Sequence, residues 1–588
     1  MKGLYILVLI FYLILSLILT YPVILSFTTR LAGDGRDAWI YLWIFWWTRK
    51  ATLNPNLNLY NCSYVGYPTG MNLLFRELET FYSLMSVPLQ NFLNLITIYN
   101  IFFISTFVIA GLCMFLLIDY LTGDKKIALI SGIAFAFCPF HFARGLGHLN
   151  LMSYGWIPIY VLFLMKTFKE DKLRNAIFAG ILLFVIFLNS FYYVFSMGVF
   201  TLIFLIFNIN NLKLNEIKKI GLLFISFILL ASPFIINLTK FSREVPASYT
   251  ATTPFHYFLP SFLHTFFGKE FYADYLVLSV KDFYFVDTTV FVGFTIFAFS
   301  FWYANKNLKK CSFWVLIAVL FFLLSIGEYI RLYGINYPTI VFDLFKYIPL
   351  FSSLRDKAQF SIITFMSLVV LFSLALKDVA ETTKKKWLLL IFVTGLILFE
   401  FISIPYITAS ANLSEFYKKT KFSGNGTVLD IPLIRGGFIP STYGYLQTIH
   451  GMKMFGFPWF PDSPEFLRGT PFIKEVYNLN LTYFSNQTNY NEAYDFLKEY
   501  DVEYIILHKR CPDSYEYSWK EMEEGMNLVR SQMDFRNLNY FEASSGHCYL
   551  QYLGKDEVES ISGFLQNIKE LKKTFEDDKI VVYKIEFS

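Results

Sequence analysis

Two carboxylates and an arginine lie within one short run near the N-terminus, Gly33-Asp34-Gly35-Arg36-Asp37, directly before the aromatic stretch that starts at Ala38-Trp39 and runs through Trp43, Trp46 and Trp47. A carboxylate in such a loop can deprotonate a hydroxyl, or bind a divalent cation that neutralises a phosphate leaving group. Each residue also has a plainer use: Asp37 suits a helix N-cap, and Gly33-Asp34-Gly35 suits a turn. Further along, Arg144 and His148 share one short loop and could grip a phosphate. Their plainer roles are loop capping and a charge reaching for lipid headgroups. A third group, Arg243, Glu244, His256, His264, Lys269, Glu270, Asp274 and Asp287, is rich enough to complete a site but has no tight spacing. Pro260 between His256 and His264 argues against a helical zinc pair.

The elements that must position these residues are mostly apolar. The chain of 588 residues is 55% hydrophobic, 20% aromatic and only 16% charged, a balance seldom met in soluble domains. Its net charge of +5 is small and no basic run is long enough for a nucleic-acid footprint, so nucleic acid is not expected as a partner. A bilayer core takes about 20 apolar residues per helix, and scanning for such stretches predicts about eleven spans. Residues 1–27 are read as an uncleaved first span, because the apolar run exceeds a signal-peptide core and lacks a small-residue cleavage site.

Lys and Arg fix the expected orientation. With the N-terminus in the cytoplasm, the inner loops hold Lys125 and Lys126, Lys166 to Arg174, Lys213 to Lys219, Lys306 to Lys310 and Lys377 to Lys386, whereas the short outer connections offer chiefly Arg144 and Arg331. Segments 28–97, 239–286 and 408–588 then face the extracytoplasmic side, as do the sequons at Asn61, Asn237, Asn412, Asn425, Asn480 and Asn486. The aromatic helix after Asp37 is too short to cross and is expected to lie at the interface, with its Trp side chains at headgroup depth.

After residue 408 charge, Gly and Pro rise, and strand-like runs appear at 427–431, 503–507 and 580–587, with helix-like stretches near 490–500, 519–531 and 556–573. The expected division is a transmembrane domain over 1–409 and an extracytoplasmic α/β domain over 410–588. Cys511 and Cys548 both fall in the latter, where a disulfide is chemically permitted and two free thiols are the alternative. Walker, dinucleotide, HExxH and GxSxG signatures are absent from the sequence, which disfavours a nucleotide-driven pump.

One membrane span followed by Gly-Asp-Gly-x-Asp and a Trp-rich helix resembles the start of the C-class (GT-C) membrane glycosyltransferases. Further matches are Tyr67-Pro68-Thr69-Gly70-Met71-Asn72-Leu73, His148-Leu149-Asn150-Leu151 with Trp156-Ile157-Pro158, Ser325-Ile326-Gly327, and Pro349 with Arg355 and Phe360. A second Arg often stands in this family where this chain has Gln359. The resemblance covers most of 1–410 and implies a GT-C-like polytopic helical fold and transfer of a sugar from a polyprenyl-phosphate donor. The acceptor would be an extracytoplasmic glycan, lipid or protein. It also implies Asp34 as catalytic base or metal ligand with Asp37 as its partner, Mg²⁺ or Mn²⁺ as the candidate cofactor, and Arg355 beside Arg36, Arg144, His148, Glu244 and Asp287 as substrate-binding candidates. Two other classes stay open: a catalytically silent GT-C-like scaffold or binding protein, and a lipid-handling transporter. The transporter would need intramembrane charges along a path, and the predicted spans carry few.

Overall fold

The computed structural model describes residues 2–35, 37–73, 80–170, 172–238, 252–261, 263–267, 288–327, 329–332, 335–339, 356–410, 413–424, 426–433, 442–456, 466, 469–509, 553 and 555–585. They fall into two compact units, one built from Met1–Ser26, Glu79–Tyr82 and Asn100–Ile407, the other from Phe27–Leu78, Ser83–Tyr99 and Thr408–Ser588.

The first unit is helical. Lipid offers no partner for backbone N–H and C=O groups, so an apolar chain of this kind can cross only as helix. Among the described residues six helices are long and apolar enough to cross a membrane: Leu95–Thr122, Lys125–Arg144, Leu149–Lys169, Leu214–Ile235, Phe294–Ile326 and Lys357–Thr382. Shorter apolar helices cover Gly3–Leu19, Leu173–Asn189 and Phe191–Phe207. Among the described residues six helices thus reach that length, where the sequence predicts about eleven spans, 287–304 and 312–330 among them. Part of the difference has a plain cause. The Phe294–Ile326 helix breaks at Asn307, where φ is −128° and ψ 29°, so a stretch read as two spans is joined across a kink.

Small residues let these helices approach closely. The Tyr12 ring fills the space left by Gly111 and Gly132: an added Cβ would stand 2.6 Å from the ring at Gly111 and 1.9 Å from the hydroxyl at Gly132. That hydroxyl donates to the Leu129 carbonyl at 3.0 Å. At one end of the bundle Asp124 caps the 125–136 helix through the Lys126 and Ile127 amides and takes an ion pair from Lys386 at 2.7 Å. Lys377 donates to the Thr122 carbonyl at 2.8 Å beside it. Two of the loops whose lysines the orientation argument uses thus meet.

The second unit holds a five-stranded mixed sheet in the order Leu571–Glu576, Ile580–Ile585, Val502–His508, Thr427–Ile431, Lys453–Met454. The last three strands run parallel, and Ile580–Ile585 is antiparallel to both its neighbours. Leu429, Ile431, Ile505 and Leu507 from the central strands meet Phe472, Val476, Phe496, Ile561 and Phe564 from the flanking helices in one buried core. The 556–573 stretch differs from its expected helix. The helix ends at Leu565, and Leu571–Glu576 is an edge strand whose Lys572, Lys573 and Thr574 face outward. The expected 519–531 helix, Cys511 and Cys548 lie outside the described residues.

Candidate active site at the Asp34 turn

The segment after the first helix begins with a strand of the second unit. Arg30–Ala32 pairs antiparallel with Thr408–Ser410, and Arg30 fastens the pair by donating from Nε to Thr408 Oγ1 and from a terminal nitrogen to the Thr408 carbonyl, both at 2.9 Å. The chain then turns through Gly33-Asp34-Gly35. Both glycines have left-handed φ, 104° and 76°, which an L side chain seldom adopts. At Gly35 space forbids a side chain as well, since a Cβ would lie 2.6 Å from the Ala409 Cβ and 2.8 Å from Trp39 Nε1. Asp34 is thereby held, 6% exposed, between a strand pair and the first turn of the tryptophan helix, Ala38–Leu53.

Asp37 occupies the N-cap position of that helix, yet its side chain makes no cap hydrogen bond. Its expected plainer role as a cap is not the one its side chain adopts. Trp39, Trp43 and Trp47 of that helix are all buried in protein. The physical reason is the Thr442–His450 helix, which packs along it. Tyr445 stacks on Trp39 with ring centroids 5.0 Å apart. Gln447, fully buried, accepts from Trp43 Nε1 at 2.5 Å and donates from Nε2 to the carbonyls of Tyr64 and Met452 at 2.7 and 2.8 Å. Backbone bonds between Tyr64, Tyr67 and Met454 tie the same outer loop to the short edge strand. Only Trp46 keeps partial exposure, with Lys50 4.9 Å from its ring and 4.0 Å from that of Tyr64.

A second buried polar group in this unit escaped the sequence reading. Asp430 and His508, from the adjacent parallel strands, bond through Oδ1 and Nε2 at 2.8 Å, and the Tyr443 ring lies over the imidazole at 4.6 Å. Nearby, His450 is held down to a pKa of about 4, chiefly by burial, with Asp430 acting against that shift. Nothing local in the sequence marks the Asp430–His508 pair, because its members stand far apart in the chain.

Arg144 and His148 belong to the helical unit and share one turn, the His148 amide donating to the Arg144 carbonyl at 2.8 Å. Arg144 is fully buried, so it does not reach for headgroups. Its Nε donates to Gln359 Oε1 at 3.0 Å, and its guanidinium lies 4.4 Å from the Phe140 ring centre. Gln359 in turn donates to Asp356, whose other oxygen caps the start of the 357–382 helix through the Ala358 amide at 3.0 Å. The position where the family often has a second Arg thus carries a relay from Arg144 to Asp356. Asp356-Lys357-Ala358-Gln359 before a long apolar run is the helix-start pattern that could have revealed it. Of the remaining candidates, Arg36, Arg355, Glu244 and Asp287 lie outside the described residues. Among the described residues no three His, Cys, Asp or Glu side chains gather as a metal site.

No family model matches the chain, and no curated protein matches it by sequence. Solved structures do resemble it. The arabinofuranosyltransferase AftD from Mycobacteria aligns with 100% of this chain and 40% of its own, at a TM-score of 0.59 and 12% identity. This chain therefore spans less than half of that protein. The Archaeoglobus fulgidus oligosaccharyltransferase in its apo form aligns over 86% of this chain and 69% of its own, with a TM-score of 0.48 and 13% identity. The archaeal oligosaccharyltransferase AglB from Archaeoglobus fulgidus, in complex with an inhibitory peptide and a dolichol-phosphate, gives a TM-score of 0.43 at 14% identity over 90% and 72% of the two chains. The AftD likeness shows that this chain shares the fold of that part of the arabinofuranosyltransferase.

Proposed function

We propose that this protein transfers a sugar from a polyprenyl-phosphate donor to an acceptor hydroxyl on the extracytoplasmic side, with Asp34 as the reacting carboxylate. The observation that carries the reading is the near-complete burial of Asp34 in a turn whose Gly33 and Gly35 both adopt left-handed φ. A carboxylate held at small entropic cost in a desolvated turn is prepared for proton transfer. As base, it takes the acceptor proton while the acceptor oxygen attacks the anomeric carbon. The bond from that carbon to the phosphate oxygen breaks, and polyprenyl phosphate leaves with the electron pair, inverting the anomeric centre.

Asp34 also serves the alternative in which Mg²⁺ or Mn²⁺ assists. Mg²⁺ is commonly held by one or two carboxylates together with substrate phosphate oxygens, a set that Asp34, Asp37 and the donor would supply. The metal's contribution would be to neutralise the departing phosphate. Arg36, Arg144, His148 and Arg355 are proposed as phosphate contacts, and Glu244 and Asp287 as polar contacts to the sugar or acceptor. The test is turnover of lipid-extracted polyprenyl-phosphate sugar by purified protein in detergent. The donor should be consumed by the wild type and not by Asp34→Asn, which keeps the shape and loses the charge. Equal consumption by both proteins would remove Asp34 from the mechanism.

A further inference from the structure

The tryptophan helix is the body to which the Asp34 turn is attached, and most of what holds that helix comes from residues 408–454. Three contacts do it. Thr408–Ser410 pairs with the strand entering the turn. Tyr445 stacks on Trp39 in the first turn of the helix. Gln447 meets Trp43 one turn further on. Ala409 closes the last gap, lying against Gly35 so tightly that any Cβ there would collide.

Gln447 is chemically specific for its place. An indole N–H can only donate and a carbonyl can only accept, so a side chain that serves Trp43, Tyr64 and Met452 together must present one acceptor and two donors. A primary amide has that set. A carboxylate lacks the donors, a thioether offers only a weak acceptor and an aliphatic chain neither, leaving buried polar atoms unmet. Gln447 is itself fully buried, so the arrangement is an internal brace and not a surface contact.

We infer that Gln447 and Tyr445 are positioning residues for Asp34: the 442–450 helix sets where the reacting carboxylate stands, and the C-terminal part of the chain is a working component of the catalytic loop. The inference rests on the proposed role of Asp34. Displacing a catalytic group by about 1 Å costs on the order of 100-fold in rate. Loss of either brace should therefore lower kcat and leave the donor KM nearly unchanged, because neither side chain is proposed to touch the donor.

The experiment compares Gln447→Met, Tyr445→Leu and Trp43→Phe with wild type in the purified full-length protein, using lipid-extracted polyprenyl-phosphate sugar as donor. Gln447→Met should lower kcat by about 10- to 100-fold and Tyr445→Leu by about 10-fold, with KM changing by less than about 3-fold. Because Trp43 and Gln447 act as one unit, the Trp43→Phe/Gln447→Met double variant should lose little more than Gln447→Met alone. Phe564→Leu, which weakens the core of the same unit away from the turn, controls for loss of stability. Measured well below its unfolding temperature, it should keep wild-type kcat. Folded Gln447→Met and Tyr445→Leu proteins with wild-type kcat overturn the inference, as does a Phe564→Leu protein that loses kcat equally at an equal fall in Tm. Asp34→Asn, run alongside, separates the two claims: if it stays active the catalytic reading fails, and if it is dead while both brace variants are fully active only the positioning role fails.

Discussion

The two units each bury a polar hub, and the hubs solve different problems. In the helical unit the buried group is a cation, Arg144, and its relay ends on a carboxylate, Asp356, through the Gln359 amide. In the other unit the buried group is neutral: Gln447 serves an indole and two carbonyls and carries no charge. A buried ion must be compensated by another charge, whereas a neutral amide needs only hydrogen-bond matching. The helical unit therefore holds its buried charge through a relay, while the second unit braces the tryptophan helix with a neutral amide.

The contrast can be broken by removing one member of each hub. Arg144→Met removes the buried donor to Gln359 and should destabilise by about 1–3 kcal/mol, because the Gln359 oxygen loses its charged partner. The double variant Arg144→Met/Gln359→Leu should lose little more than Arg144→Met alone, since the two side chains act as one hydrogen-bonded unit. Thermal unfolding in detergent measures both, and equal Tm values for wild type and Arg144→Met would show that the relay contributes no stability.

Acid should weaken the second unit through a different group. Burial holds His450 neutral with a pKa of about 4, below its ordinary 6.5. The folded state thus binds fewer protons than the unfolded state between these values. The stability this residue contributes is complete above pH 6.5 and is lost progressively as the pH falls toward 4, by about 3 kcal/mol in all. A His450→Gln variant should show a flatter fall in unfolding temperature between pH 7 and pH 4.5. An identical slope in both proteins would contradict the assignment.

The smallest expected effect compares two tryptophans of one helix. Trp43 donates to Gln447, but the buried Trp39 Nε1 has no hydrogen-bond acceptor among the described residues. Trp43→Phe should cost about 1 kcal/mol or more, because it deletes a bond and orphans a buried acceptor. Trp39→Phe keeps the ring stack on Tyr445 and loses no bond, so its unfolding temperature should match wild type or rise slightly. A large loss at Trp39 would mean that its N–H is engaged after all.

These comparisons also mark what the sequence could tell. The Asp34 loop was legible because glycines, carboxylates and tryptophans are local in the chain, and strands 427–431 and 502–508 because their apolar runs are compact. The burial of Trp39, Trp43 and Trp47 was not legible, since the covering residues Tyr445 and Gln447 lie about 400 positions away and look like an ordinary short helix. The edge strand Leu571–Glu576 hid for another reason: with Lys572 and Lys573 facing outward it lacks the alternation that reveals a half-buried strand. The relay to Asp356 stood in plain view as a helix cap, yet its connection to Arg144 spans more than 200 positions.

The most direct test of the account is the rate of donor consumption by Asp34→Asn set against Asp37→Asn, in folded protein with and without EDTA. The account predicts that Asp34→Asn is inactive, at least 100-fold below wild type, and that Asp37→Asn loses less. EDTA decides between the two roles offered for Asp34, silencing the wild type if it holds a cation and leaving it active if it is the base. A folded Asp34→Asn protein that consumes polyprenyl-phosphate sugar at the wild-type rate would contradict the central claim.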